Sequence, residues 1–541
     1  MGFGWWRRSL LGAAFSGILL LQFCFCSAQE APKFTFMHNA TSAPSTSYYD
    51  YIIVGGGTSG CPLAATLSKN ARVLLLERGG SPYGNDNITY LSSFGRALSD
   101  LSPTSPAQRF ISEDGVINAR GRVLGGGSCL NAGFYTRAGT SYVAGAGWNG
   151  RLVNESYEWV ERVVAFQPAV LEWQSAVKEG LVEVGVLPDN GFTYDHLRGT
   201  KVGGSIFDRN GRRHTAADLL RYARPSGLTV LLHATVHKIL FRIKGKSRPL
   251  AHGVVFRDAS GVKHKAYLNV GPKNEIIVSA GALGSPQLLM LSGLGPADHL
   301  KAHNIKLVKD LPLVGQGMSD NPMNAIFIPS PVPVEVSLIE VVGITNFGTY
   351  IEAASGENFG ANDYGMFSPK IGQLSTVPPK QRTQEAINKV VETMSTLDQT
   401  AFQGGFILEK VMGPISTGHL ELVTRNPNDN PSVTFNYFKE SEDLQRCVQG
   451  IKTIESVNGS LTLEQFCKDT VMTIWHYHGG CQVGMVVDRD YKVLGVDALR
   501  VIDGSTFNYS PGTNPQATVM MLGRYMGVQI LRERLASEET K

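Results

Sequence analysis

The stretch "YIIVGGGTSGCPLAATL" constrains the fold more than any other part of this chain. Gly55, Gly57 and Gly60 form G-x-G-x-x-G directly after the apolar run Ile52 to Val54 and directly before a helical pattern over Cys61 to Leu67. The first glycine permits a tight turn, the second lets backbone approach a pyrophosphate, and the third lets helix and strand pack closely. The helix start then offers free N–H groups to phosphate oxygens. Val73 to Leu76 reads as a second buried strand, which completes a βαβ unit. Glu77 ends that strand, 17 residues after Gly60, where an acid can accept hydrogen bonds from an adenosine ribose. The pattern predicts a dinucleotide site and by itself leaves NAD and FAD open.

At 541 residues the chain is longer than one hydrophobic core usually supports, so two domains or one enlarged α/β domain are expected. Its net charge of +4 gives no reason to expect nucleic acid as a partner. The N-terminus reads as an export signal: Arg7 and Arg8 precede "LLGAAFSGILLLQFCFC", and the small residues Ser27 and Ala28 suit cleavage. A membrane anchor is the alternative for this run, which is about the minimum spanning length. Cleavage after Ala28 would take two arginines and no acid, lowering the charge from +4 to +2. No later segment is long and apolar enough to span a bilayer, so the chain is expected outside the cell, as a monomer and with no metal site.

Export permits glycans and disulfides. Asn39, Asn87, Asn154, Asn458 and Asn508 begin N-x-S/T triplets. Beyond Cys24 and Cys26 there are five cysteines, so at least one thiol stays free. Cys61, Cys129 and Cys481 sit inside glycine-rich motifs, which leaves Cys447 and Cys467 as the expected pair. A single dinucleotide unit is evident. A resident flavin would leave no second site for a pyridine nucleotide, and an exported enzyme meets little NAD. Both points favour FAD.

Residues 29–47 are polar and turn-rich and read as a flexible arm. "EWVERVVAFQPAVLEWQSAVKEGLVEVG" is helical and amphipathic, whereas "LTVLLHATVHKILFRI" and "AHGVVFRDASGVKHKAYLNV" read as strands and turns. From Asn321 to about Ser416 no period dominates. The end reads as a strand, a loop and a long helix.

Three further clusters carry a resemblance. "GRVLGGGSCLNAG", "GALGSPQLLMLSGLG" and the pair "HYHGGCQVG" and "LRVIDGS" with "GTNP" follow the glycine unit in order. Together they resemble the glucose-methanol-choline (GMC) oxidoreductase family from about Asp50 to Leu535, and within it the plant HOTHEAD-like and mandelonitrile lyase-like branch. The resemblance implies an α/β fold: a Rossmann-type FAD-binding domain with an α+β substrate domain built on an antiparallel sheet. It suggests residues 48–145, 225–300 and 475–541 for the first, and 146–224 and 301–474 for the second, after a signal peptide over 1–28. It also implies cofactor contacts beyond the glycine loop: Thr58 and Ser59, Glu77 and Arg78, Val123, Ser128, Asn131, Ala132, Gly133 and Phe134, Val236, Trp475, and Asp503, Gly504, Gln516 and Ala517 from the C-terminal side. The segment between "EDLQRCVQG" and the histidines is shorter than is usual in this branch.

Alcohol oxidation needs a base for the hydroxyl proton and a flavin for the hydride. A second polar group should hold the substrate oxygen. The family's H-x-x-G-G pattern puts the base at His476. His478 shares the same face if the segment is extended, so geometry alone leaves both open. Asn514, just before Pro515, is the expected partner, or simply a helix cap. The matching position in the mandelonitrile lyases looks like a second histidine, whereas Asn514 is similar to the His–Asn pair of cholesterol oxidase. The expected function is therefore oxidation of the CH–OH group of a small-molecule alcohol, with oxygen or another electron acceptor; the resemblance suggests a long-chain ω-hydroxy fatty acid as that alcohol. A hydroxynitrile lyase with a non-redox flavin is the alternative.

Overall fold

The computed structural model describes residues 34–271, 273–356, 378–383, 403–454 and 462–539, together with Pro32, Glu385, Ala386, Lys389 and Glu392. The segment read as an export signal and Asn458 lie outside the described residues.

Six strands build one parallel sheet. Its order is Met37–Asn39, Leu228–Leu232, Val73–Leu76, Tyr51–Val54, Glu275–Val278 and Leu499–Val501, and every neighbouring pair is parallel. The strands read as continuous apolar runs because both faces are covered. Side chains alternate across a strand, so Tyr51 and Ile53 enter the core on one face and Ile52 and Val54 the core on the other. Helices Gly60–Leu67 and Gln516–Glu539 cover the first face. Helix Gly281–Leu291 and the antiparallel strands Thr235–Arg242, Leu250–Arg257 and Lys263–Leu268 cover the second.

The second large sheet has seven strands: Met472–Thr473, Pro322–Pro329, Gly404–Val411, Thr349–Ser355, Val341–Ile344, Gly199–Val202 and Asp189–Phe192. All its pairs are antiparallel except the last. This is the antiparallel sheet that the resemblance implies. Its central strands come from the stretch without a dominant period, since several of them are buried throughout and show no alternation.

One expectation needs correction. The arm over 29–47 is structured where it is described: Met37–Asn39 adds the edge strand of the parallel sheet, and Thr46–Tyr49 pairs with Lys263–Leu268. Phe36 anchors it, buried in the core. The long amphipathic pattern is two helices, Gly150–Val164 and Glu172–Glu183; Pro168 falls between them and cannot continue a helix. The first of these packs into the core of the parallel sheet through Leu152, Val153, Tyr157, Val160 and Val164, although it falls in the 146–224 segment expected on the substrate side.

Cys447 and Cys467 form a disulfide between helices Ser441–Ile454 and Leu463–Asp469. Cys61, Cys129 and Cys481 are free and buried. Among the described residues no helix is long and apolar enough to cross a membrane.

Candidate active site

The glycine loop opens onto a cavity of about 310 Å³. Gly55 has φ +104°, and a Cβ there would fall 2.3 Å from the Ser279 carbonyl oxygen. A Cβ on Gly60 would fall 2.0 Å from the Gly55 carbonyl oxygen, so the helix start and the loop touch backbone to backbone. Gly57 differs: it lines the cavity, and its Cβ would meet nothing closer than 3.8 Å. Glu77 ties the neighbouring turns together, accepting from Gly56 N at 2.9 Å and from Gly79 N at 2.7 Å. Burial pushes its carboxyl pKa up against these two bonds. Arg78 lines the same wall and donates to Gln108 Oε1 and to the Gly121 carbonyl.

The loop Val123 to Phe134 forms the opposite wall. Ser128 has its hydroxyl committed to backbone, donating to Gly125 O and accepting from Ala216 N. Asn131 Nδ2 donates to Gln516 Oε1 at 2.8 Å, and Gln516 Nε2 donates to Phe134 O at 2.6 Å. The start of the C-terminal helix is thereby fastened to this loop. Asp503 fixes the floor: its carboxylate accepts from Gly281 N, Ser285 Oγ and Ser505 N.

His476 and Asn514 line this cavity and His478 does not. The backbone explains the split. Trp475 has φ +58°, a left-handed conformation that costs a bulky residue about 1–3 kcal/mol. Asp320 holds it there, accepting from His476 N at 3.0 Å and from Thr473 Oγ1 at 2.6 Å, while Thr473 Oγ1 also accepts from Trp475 N. The segment is thus not a regular strand, and the two rings part. His478 turns back to donate from Nδ1 to His476 O at 3.0 Å, and its Nε2 is buried without a partner. His476 Nδ1 faces Tyr350 Oη at 3.2 Å and Asn321 Nδ2 at 3.3 Å. Burial, then the charge of Lys410 and the nearby His478, hold the His476 ring well below the usual histidine range. Burial of Asp320 raises its pKa to about 6. Asn514 is buried, with Oδ1 unpartnered.

Of the residues named from sequence, Gly55, Gly57, Thr58, Ser59, Glu77, Arg78, Val123, Ser128, Asn131 to Phe134, Val236, Trp475, His476, Asp503, Gly504, Asn514 and Gln516 line one cavity. Gly60 and Ala517 do not: the first is a packing contact, and the second is wholly buried in the core. Tyr350, Asn321, Asp320 and Glu352 were not legible as site residues, because they come from strands and turns without a motif. The cavity suits an extended dinucleotide. Gly127, Gly281 and Gly504 line it, and a Cβ on any of them would meet no protein atom within 4 Å, so the missing side chains keep space for something other than protein.

Comparison with known proteins gives the family. Models of the GMC oxidoreductase family match residues 49–323 and 414–523. Among curated relatives, Protein HOTHEAD of Arabidopsis thaliana is 52% identical, over 94% of both chains. An (R)-mandelonitrile lyase-like protein of Arabidopsis thaliana is 48% identical, over 92% of this chain and 93% of its own. Sinalpyl alcohol oxidase Nec3 of Nesocodon mauritianus is 41% identical, over 95% and 94%. A solved structure of formate oxidase from Aspergillus oryzae superposes with a TM-score of 0.73 at 18% identity, covering 91% of this chain and 99% of that one, which speaks to the fold alone. The chain belongs to the GMC oxidoreductase family. Its class is that of the FAD-dependent alcohol oxidoreductases, acting on a small-molecule substrate.

Proposed function

We propose that this chain oxidises the CH–OH group of an alcohol, with His476 as the base and Asn514 as the holder of the substrate oxygen. The observation that carries this reading is that His476 and Asn514 line the cavity of the glycine loop, whereas His478 does not. Bound FAD would supply the hydride acceptor, held by the Gly55–Gly60 turn, Glu77 and the Val123–Phe134 loop. The His476 imidazole is neutral in its buried setting, as a base must be. Its Nδ1 lies against Tyr350 Oη and Asn321 Nδ2, so Nε2 is the nitrogen left for the substrate proton. For Nε2 to accept, Nδ1 must carry hydrogen, and of its two neighbours the Tyr350 oxygen is the one that can accept it. The Asn514 amide can donate to the substrate oxygen and orient its carbon.

The body of the substrate would rest on Leu98, Leu130, Phe134, Ile339, Ile474 and Trp475, an apolar wall of the same cavity. That wall suits a hydrocarbon chain, in line with the long-chain ω-hydroxy fatty acid that the resemblance to HOTHEAD suggests. The N-terminal signal and the disulfide fit an exported enzyme.

The relationship to mandelonitrile lyase-like proteins supports a second reading, cyanide release from a hydroxynitrile without redox change. Asn514 favours the first, since the lyases' matching position looks like histidine. Anaerobic mixing with a panel of alcohols separates the two. Bleaching of the flavin absorbance by an alcohol is expected. Rapid cyanide release from mandelonitrile, with no alcohol bleaching the flavin, would reverse the choice.

A further inference from the structure

A buried Lys–Glu pair stands on the apolar wall behind His476. Strands Thr349–Ser355 and Gly404–Val411 are antiparallel neighbours, in register as Tyr350 opposite Lys410, Glu352 opposite Leu408 and Ala354 opposite Phe406. Residues opposite one another, and those two apart on one strand, share a face. That face is otherwise hydrocarbon: Tyr350, Ala354, Phe406 and Leu408 belong to one cluster with Phe134, Met323, Val342 and Ile474. Lys410 Nζ is ion-paired with Glu352 Oε2, and both side chains have no exposed surface. Glu352 lines the cavity, and its Oε1 is buried without a hydrogen-bond partner. Lys410 Nζ lies 5.4 Å from the centre of the Tyr350 ring, whose hydroxyl is 3.2 Å from His476 Nδ1.

A buried ion pair is a poor way to stabilise a sheet. Desolvating two charges costs several kcal/mol each, and apolar side chains of similar volume often do as well or better. What the pair does provide is charge, one residue removed from the proposed base. When the substrate O–H bond breaks and its proton moves to His476, a buried imidazolium forms. Its Nδ1 neighbours, Tyr350 and Asn321, are both neutral. The other groups near this ring region are His478, bonded to the His476 carbonyl, and Asp320, whose carboxylate is already committed to His476 N, Thr473 and Tyr437; Glu409 acts on Lys410 and Tyr350, and Lys201 on Glu352.

We infer that Glu352 and Lys410, with Tyr350 between them and the ring, are positioning residues that set the charge state of His476: Lys410 keeps the resting imidazole neutral, and Glu352 offsets the charge it takes on with the substrate proton. The inference rests on the proposed role of His476. Without Lys410, the Glu352 carboxylate would be left to share a proton with the ring and would favour the imidazolium. Without Glu352, the ring would face only the Asp320 carboxylate, already shared among three donors, and Lys410 would oppose the imidazolium.

The test uses the FAD-loaded enzyme labelled with ¹³C at histidine Cε1, the His476 signal being assigned by its loss in His476→Gln. Wild type should stay neutral to the acid limit of the fold. Lys410→Met should bring the His476 midpoint up into the accessible range, Glu352→Gln should not raise it, and the double variant should lie between Lys410→Met and wild type. The acid limb of anaerobic flavin bleaching should move to higher pH in the same order. Tyr350→Phe should lower kcat with KM little changed. If Lys410→Met loses its flavin, the double variant, neutral at both positions, carries the test. The inference is overturned if Lys410→Met, or the double variant in its place, titrates like wild type, or if both single variants raise the midpoint alike. If no alcohol bleaches the flavin, the proposed reaction falls, while the histidine titration still decides this point.

Discussion

Asn131 and Gln516 are 385 positions apart and meet through a 2.8 Å hydrogen bond, with Gln516 also donating to Phe134 O at 2.6 Å. This clasp joins the loop on one side of the cavity to the first residue of the C-terminal helix on the other. Gln516→Leu removes both bonds and strands a half-buried amide and a buried carbonyl, at a cost of roughly 2–3 kcal/mol. The expected outcome is a protein that folds but copurifies with much less flavin. The ratio of flavin to protein absorbance, before and after dialysis, checks it.

Two glycine substitutions should have opposite signatures. Gly60→Ala drives a methyl to 2.0 Å from the Gly55 carbonyl oxygen, which cannot move without opening the loop, so soluble protein should be scarce. Gly504→Ala meets no protein atom within 4 Å, and the chain there has no positive φ. Its methyl points into space left for the cofactor. It should leave the thermal unfolding of flavin-free protein unchanged while weakening flavin binding. Thermal scans with and without added FAD separate the two cases.

The nucleotide-binding half was legible because its constraints are local. Tight turns need glycine, doubly buried strands need unbroken apolar runs, and the two signals lie within about thirty residues of each other. The same locality exposed Cys447 and Cys467 by elimination. The wall behind His476 was not legible. Tyr350, Glu352 and Lys410 take their meaning from register between strands that are distant in sequence, and strands such as Thr349–Ser355 are buried on both faces, so no alternation announces them. Geometry alone left His476 and His478 open for a related reason, and the choice of His476 came from the family pattern. The argument assumed an extended segment, and the left-handed Trp475 makes it something else.

That separation of the two rings gives a direct mutational contrast. His476→Ala should slow anaerobic flavin bleaching by roughly 10²–10⁴-fold, the usual contribution of a positioned base. His478→Ala removes a ring that does not line the cavity and whose one hydrogen bond is to the His476 carbonyl. Its effect on bleaching should stay within roughly tenfold, although it lowers stability by leaving a buried gap. Stopped-flow traces on both variants, normalised to bound flavin, check this. Equal losses would mean that His478 reaches the chemistry.

His478 also predicts how stability responds to acid. Burial lowers its pKa to about 4, below the histidine reference of 6.5. Between these values the unfolded chain binds a proton at this position and the folded chain does not. The unfolded state binds more protons, so stability rises with pH through this window and is lost as pH falls from about 6.5 toward 4. The two-and-a-half-unit difference corresponds to about 3 kcal/mol for this one ring. His196, lowered to about 4 by burial and by Lys201, acts in the same direction. Asp320 acts in the opposite direction: its pKa is raised to about 6 from the reference 3.8, so over that interval the folded state binds the extra proton and stability falls as pH rises. Other buried carboxyls raised by desolvation, Glu340 to about 8 among them, act as Asp320 does, so the His478 contribution is read by comparing wild type with a variant that differs at that ring alone. His478→Gln cannot take up the proton in either state. It should be less stable than wild type at pH 7 and should lose less stability between pH 6.5 and pH 4.5. Urea unfolding of both proteins across that range measures the difference in slope, and parallel curves would show that the His478 ring is protonated in the fold.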